Sequence, residues 1–337
     1  NGFMRIAIVK LSALGDIVHA MVALQFIKKF NQEILIDWVV EESYKGLLEF
    51  HPDINKVHLI NIKQAKKNKS LPTLFKEFRK LRRLSHYDLV IDMQGLIKSA
   101  IVSRLIPSSI TLGFDKFSIR EGLASFFYNK KFSCAYDKNI IERNIELIEF
   151  ALGLSVSKNQ VQNKDPFLFS IKNQLETSLS KTRKNILLIP GASHKSKCYP
   201  VAKLAELSTL IDANFLVVWG NSDEKLLADR VKKLSPSVNI CNKLSINELI
   251  LLTSEVDLVI GPDTGPTHIS WALNIPSITL FGSTPGYRNT FETKINKIIE
   301  SESKVDPYNL KRNDFSIKTI QVNDVVKIAQ YLLKGSK

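Results

Sequence analysis

Residues 257–268 read Asp-Leu-Val-Ile-Gly-Pro-Asp-Thr-Gly-Pro-Thr-His. A short apolar run stops at an Asp-Thr-Gly turn. Pro266 then stands where a helix can begin, because the first helical turn does not need the amide proton that proline lacks. A brief, wholly apolar strand flowing into a turn and a helix is the unit of a parallel sheet covered on both faces. The same pattern extends outward from this stretch. Upstream lie strands at 185–190, 215–219 and 238–241, separated by helices at 201–211, 223–234 and 246–254. Downstream come a helix at 265–273 and a strand at 277–281.

An equivalent series fills the N-terminal half. Strands at 5–10, 34–40, 56–60 and 89–92 alternate with helices at 17–30, 43–50, 71–84 and 96–105, and 88–94 (DLVIDMQ) reads as a central strand ending in polar residues. Strand-helix alternation predicts an α/β chain. Between the halves, 155–184 is polar and poor in aliphatic residues until Phe167–Phe169, so the expected domains are 1–165 and 166–337. The last helix, 322–333, can pack on either domain, including back on the first. Two open α/β domains are expected to face each other across a cleft, with ligands at the carboxyl ends of the strands. No repeat of fixed period is present.

The composition agrees. A chain of 337 residues is long enough for two domains at roughly 150 residues each. It is 44% hydrophobic and 24% charged, with a mean hydropathy of −0.03, which excludes both disorder and a multi-span membrane protein. Three dispersed cysteines, Cys134, Cys198 and Cys241, suggest neither a disulfide framework nor a zinc site, and a reducing cytosol is the simplest setting. No run approaches the ~18 apolar residues of a membrane span. The apolar opening at 6–9 is too short for a signal peptide, and Met4 reads as the native start, so Asn1, Gly2 and Phe3 stay outside the fold argument.

The formal charge is +14, with a pI near 9.5. Ten Lys or Arg residues between Lys56 and Arg83 face a single acid, Glu77, so this segment alone carries +9. It is either a solvated face or a surface for an anionic partner. Nucleic acid ranks below a phosphorylated or membrane-borne ligand, because no nucleic-acid-binding module accompanies the charge.

Several turns at strand ends carry residues suited to chemistry. The first, residues 10–19 (KLSALGDIVH), lacks both the dinucleotide and the P-loop glycine patterns. Asp16 there is either an N-cap or a general base at a cleft mouth. His19 reads as a packing or hydrogen-bonding residue on the first turn of the helix. In the Asp263-Thr264-Gly265 turn, amides at a helix start form a natural anion site that suits a diphosphate, with Thr264 as the capping alternative. Lys195 and Lys197, in the loop 190–200 (PGASHKSKCYP), can neutralise a leaving diphosphate or stay solvated. Glu224, after Trp219-Gly220, is either a first-turn acid or an acceptor for a sugar hydroxyl.

Taken together, 10–20 (KLSALGDIVHA), 120–129 (REGLASFFYN), Lys197 with Tyr199-Pro200, Trp219-Gly220 with Glu224, and 263–268 (DTGPTH) resemble the ADP-heptose:lipopolysaccharide heptosyltransferases, most closely the heptosyltransferase I branch. The resemblance spans nearly the whole chain. It implies a GT-B fold of two Rossmann-like doubly wound domains. It also implies inverting transfer of L-glycero-D-manno-heptose from ADP-heptose to Kdo of Kdo-lipid A in the inner core, with no metal and no cofactor. By the same resemblance Asp16 is the catalytic base and Lys197 stabilises the donor phosphates. Ser193, Trp219, Gly220, Glu224, Leu244, Asp263, Thr264, Gly265 and His268 make up the donor site. Lys63, Lys66, Lys67, Arg120 and Arg143 are the acceptor candidates, and the basic run has the anionic inner face of the inner membrane as a partner, which places the enzyme in the cytoplasm as a peripheral protein. The chain departs from the family pattern at Tyr199, where Trp is frequent, and at Pro190-Gly191-Ala192. Heptosyltransferase II activity, a non-enzymatic nucleotide-sugar binder and a nucleic-acid binder are the competing expectations.

Overall fold

The computed structural model describes residues 3–171, 175 and 178–335. Asn1 and Gly2 lie outside the described residues, as do 172–174 and 176–177 within the expected domain join. The chain divides into two units, Asn1–Phe167 and Leu168–Lys337.

The first unit holds a six-stranded sheet of β1 (Arg5–Val9), β2 (Leu35–Glu41), β3 (Lys56–Ile60), β4 (Tyr87–Asp92), β5 (Ser108–Phe114) and β6 (Lys130–Phe132). Their order is β3-β2-β1-β4-β5-β6, and every pairing is parallel. The second unit repeats the plan with β7 (Asn185–Leu188), β8 (Asn214–Val217), β9 (Asn239–Ile240), β10 (Leu258–Pro262), β11 (Ser277–Phe281) and β12 (Asn296–Glu300). Its order is β12-β11-β10-β7-β8-β9, again all parallel. Numbered within each unit, both sheets run 3-2-1-4-5-6, the doubly wound Rossmann order.

This order locates the sites. The chain reverses direction across each sheet between its first and fourth strands, leaving a crevice at their carboxyl ends. In the first unit that point lies between β1 and β4, where Val9 pairs with Asp92. In the second it lies between β7 and β10, where Leu188 pairs with Ile260.

Each sheet has its own core. In the first unit Ala7, Val9, Val39 and Val90 pack with Leu81, Val102 and Ile106 from the covering helices and their ends. In the second, Ile186, Leu188, Val217, Leu258 and Ile260 pack with Leu204, Ala228 and Val231. The final helix, Val322–Gly335, lies in the second unit: Val325, Ala329 and Leu332 are buried in the same core, and the helix contacts Val201–Leu210. Tyr199 anchors its approach, donating its hydroxyl to the Ile320 carbonyl at 2.9 Å.

Some elements differ from the sequence reading. The helix expected at 17–30 is two helices, Leu14–Met21 and Ala23–Phe30, and that expected at 43–50 is a 3₁₀ segment, Glu42–Leu47. Strands β5, β6 and β12 and the helix Ile140–Leu152 escape the sequence pattern. β6 (KKF) and β12 (NKIIE) are edge strands carrying charges, a device that keeps a sheet edge from pairing with other chains and also erases its apolar signature. Among the described residues no helix is long and apolar enough to cross a membrane.

Candidate active site

At the crossover of the second sheet, the loop after β7 and the turn after β10 are joined by an ion pair. Lys197 Nζ stands 3.2 Å from Asp263 Oδ2, with both side chains largely buried. Asp263 also takes hydrogen bonds from His268 Nε2 at 2.8 Å, Thr284 Oγ1 at 2.8 Å and Asn289 Nδ2 at 3.0 Å. Burial alone would push its carboxyl upward, but the Lys197 ammonium, His268 and Asn289 hold it far below the usual carboxylate range. Three of these four donors, Lys197, Thr284 and Asn289, meet Oδ2, while Oδ1 takes His268. Oδ2 of Asp263 thus holds Lys197 and the neighbouring loops, and Oδ1 keeps a lone pair beyond its bond from His268.

Next to this pair the helix Gly265–Ala272 begins. Thr264 is its N-cap by position, but its hydroxyl makes no capping hydrogen bond, and Thr264, Gly265 and Pro266 are only half-buried. The helix start thus offers its positive end beside an ammonium, a combination suited to a diphosphate. Gly261 allows the close approach: a Cβ there would come within 2.4 Å of Thr267 Oγ1, so glycine lets the helix lie tight on β10.

Ser193 and Glu224 line a cleft of about 980 Å³ between the loop after β7 and the helix Ser222–Leu234. Glu224 Oε2 accepts from the Gly220 amide at 2.6 Å, and its own amide donates to Asn221 Oδ1 at 2.9 Å. Glu224 is thus a first-turn acid that also lines the cavity. A Cβ on Gly191 would stand 2.3 Å from Glu224 Cγ, so glycine is what lets that side chain cross the loop. Trp219 donates its indole N–H to the Cys241 carbonyl at 2.9 Å, which fixes the strand end before Gly220. Leu244 is half-buried and packs against the apolar cluster that contains Ile189 and Cys241.

Asp16 sits at the crossover of the first sheet. It lies in the first turn of Leu14–Met21, half-buried, with the Ala13 amide 3.4 Å from Oδ2. Its loop is held from β4, because Gln94 Oε1 accepts from the Leu11 amide at 2.7 Å and the Ser12 amide at 3.2 Å. Gln94 is in turn set by Asp92, whose Oδ1 takes the Gln94 amide at 2.8 Å while Oδ2 takes Ser99 Oγ at 2.8 Å and Tyr128 Oη at 2.6 Å. Burial raises the Asp92 carboxyl, an effect these donors partly offset. Lys10 is buried behind the loop, donating to the Met93 carbonyl at 3.1 Å. Burial lowers its ammonium against the opposing pull of Asp16 and Asp92.

Lys63, Lys66, Lys67 and Arg120 are exposed. Arg143 is not: it is buried, donating to the Ala135 carbonyl at 2.5 Å and the Ser118 carbonyl at 2.5 Å, with its guanidinium 4.7 Å from the Phe114 ring centroid. Its place is that of a strut behind the loop that carries Arg120. Sequence reading does not single out Lys10, Asp92, Gln94, Thr284 or Asn289, since each acts through a partner distant in the chain. The only hint is the polar end of the 88–94 strand. Among the described residues no group of three His, Cys, Asp or Glu side chains could hold a metal ion.

Comparison with known proteins identifies the chain's relatives. The chain is 41% identical to lipopolysaccharide heptosyltransferase 1 of Campylobacter coli over 98% of its own length and 99% of that protein's. It is 31% identical to lipopolysaccharide heptosyltransferase 1 of Escherichia coli K12, covering 84% of this chain and 89% of that one. The solved structure of E. coli heptosyltransferase WaaC with ADP superposes with a TM-score of 0.79 at 27% identity, covering 98% of this chain and 100% of that one. Residues 74–310 match the model of glycosyltransferase family 9 (heptosyltransferase). With two doubly wound sheets of the GT-B class and a match over most of its length, the chain belongs to glycosyltransferase family 9, the heptosyltransferases.

Proposed function

We propose that this glycosyltransferase moves L-glycero-D-manno-heptose from ADP-heptose to a Kdo hydroxyl of Kdo-lipid A, with inversion at the anomeric carbon, working peripherally at the anionic inner face of the inner membrane. The observation that carries the donor half is the Lys197–Asp263 pair beside the helix start at Thr264, at the crossover of the second sheet. Charge develops on the departing ADP as the glycosidic bond breaks, and a prepositioned ammonium and amides stabilise it without reorganising. Asp263 holds Lys197 through Oδ2, and Oδ1, which takes only His268, has acceptor capacity left for a heptose hydroxyl. His268 and the loop residues Thr284 and Asn289 keep that carboxylate in place. Ser193 and Glu224, which line the cleft beside the loop after β7, meet the rest of the donor, and Leu244, outside the lining of that cleft, meets the adenine.

Asp16 accepts the proton of the attacking Kdo hydroxyl. A carboxylate is a weak base at rest, but the attacking oxygen acidifies as its bond to carbon forms, so proton transfer becomes favourable in the transition state. Lys63, Lys66, Lys67 and Arg120 offer positive charge to the acidic acceptor, while Arg143 supports the loop of Arg120. The deciding experiment supplies ADP-heptose with Kdo-lipid A, then with an acceptor already carrying heptose, and measures ADP release. Release with the first alone supports the reading, and release only with the second would replace it by heptosyltransferase II activity.

A further inference from the structure

Five of the large apolar side chains that the first unit exposes are each about two-thirds or more in solvent. Leu71, Phe75, Phe117, Leu123 and Phe126 are 66%, 67%, 78%, 65% and 74% exposed. They belong to two segments far apart in sequence, the start of the helix Leu71–Arg82 and the stretch after β5 that includes the 3₁₀ segment Gly122–Phe127. The topology brings both to one edge. The helix Leu71–Arg82 leads into the parallel strand β4, so its first turns lie where the strands end, and the chain leaves β5 at that same edge. The helix Ile97–Leu105 lies between them. Its Val102 and Leu105 share a cluster with Leu74, Phe78 and Leu81, while its Ile97 and Ala100 pack with Ala124 and Phe127.

The fully exposed charge around these side chains is of one sign. Lys66, Lys67, Lys69, Lys76, Lys116 and Arg120 are exposed, and the Lys116 ammonium lies 4.6 Å from the Phe117 ring centroid. The acids nearby face inward or are engaged. Glu77, the single acid among the ten bases, is 5% exposed and accepts from the Asn61 amide at 3.1 Å. Asp115 accepts the Phe117 and Ser118 amides, and Glu121 accepts the Ile97 amide at 2.8 Å. Exposed aromatic and leucine side chains among Lys and Arg, with the acids withdrawn, are the composition of a surface that lies in the headgroup layer of an anionic bilayer.

We propose that this edge enters anionic lipid, with Phe75, Phe117 and Phe126 seated below the headgroups and the lysines and Arg120 at the phosphates. The inference deepens the peripheral association proposed above and rests on it. Insertion would hold the mouth of the first unit's crevice, where Asp16 lies, against the surface in which a lipid-linked acceptor resides. The apolar contribution also makes binding partly resistant to salt, which screens charge but not hydrophobic burial.

The test uses the full chain and a Phe75→Ser/Phe117→Ser/Phe126→Ser variant in co-sedimentation with vesicles of phosphatidylethanolamine and phosphatidylglycerol, or of phosphatidylcholine alone, at low and high salt. ADP release with a soluble, acyl-free Kdo acceptor serves as control. The wild type should bind the anionic vesicles and retain part of that binding at high salt. The variant should bind at least about tenfold more weakly, since each phenylalanine forfeits apolar burial, yet release ADP from the soluble acceptor at the wild-type rate. A single Phe117→Trp protein should shift its emission to the blue on those vesicles. Equal vesicle binding by the variant and the wild type overturns the inference, as does a wild-type dimer that the serines dissociate. Wild-type transfer without vesicle binding refutes insertion alone, whereas vesicle binding without ADP release from any acceptor refutes the transfer reading alone.

Discussion

Three carboxylates of this chain have different partners and therefore different tasks. Asp16 is half-buried with one long contact from the Ala13 amide, which leaves acceptor capacity on its carboxylate. Asp16→Ala should lower kcat by ~10²–10⁴ while ADP binding changes little, read by ADP release and by calorimetric titration. Asp263 is buried and tied to Lys197. Lys197→Ala should weaken ADP binding by at least about tenfold and cost about 1–3 kcal/mol in urea unfolding, because a buried carboxylate loses its ammonium while keeping three other donors. Asp37 has a structural task in β2, taking hydrogen bonds from Tyr87 Oη at 2.5 Å and Asn55 Nδ2 at 2.9 Å, with His58 Nε2 at 3.2 Å. Burial would raise its carboxyl, yet these partners bring it down to about 2 from an ordinary 3.8. A depressed carboxyl stabilises the fold above its unfolded value and loses that contribution as pH falls toward 2. Asp37→Asn should therefore remove about 2 kcal/mol of the stability difference between pH 6 and pH 2, measured by denaturant midpoints.

At the scale of elements, the donor side depends on how closely a loop and a helix approach. Gly191 lies under Glu224, which in turn caps the strand end at Gly220. Gly191→Ala should leave the fold intact, since the atom it meets is on a side chain that can swing away, and should weaken ADP binding several-fold by displacing the carboxylate. Adding Glu224→Ala should cost little more, because the two changes act on the same contact, and a double-mutant cycle on ADP affinity reads that coupling. Legibility in the sequence also divides by element. Central strands such as β4 and β10 are covered on both faces and announce themselves as apolar runs, whereas β5 opens with Ser108, Ser109 and an exposed Ile110. β6 and β12 carry lysines at sheet edges and read as loop.

For the molecule as a whole, two units with separate cores predict that ligand stabilisation is local. ADP at about a hundred times its dissociation constant should stabilise the second unit by about 2.7 kcal/mol and leave hydrogen exchange in β1 and β4 of the first unit unchanged, measured strand by strand. Equal protection of both units would show that nucleotide binding reaches the first sheet. Strand-helix alternation, the turns that end β1, β7 and β10, and the concentration of charge between Lys56 and Arg83 were all determined by the sequence alone, because periodicity, turn chemistry and net charge are local properties. The tertiary structure decided which residues meet. It tied Lys197 to Asp263 across the crossover of one sheet, set Gln94 under the Asp16 loop across the other, turned Glu77 and Arg143 inward, and sent the last helix to the second unit. Those partners are distant in the chain, and hydrogen bonding and burial choose among residues only after the sheets have brought them together.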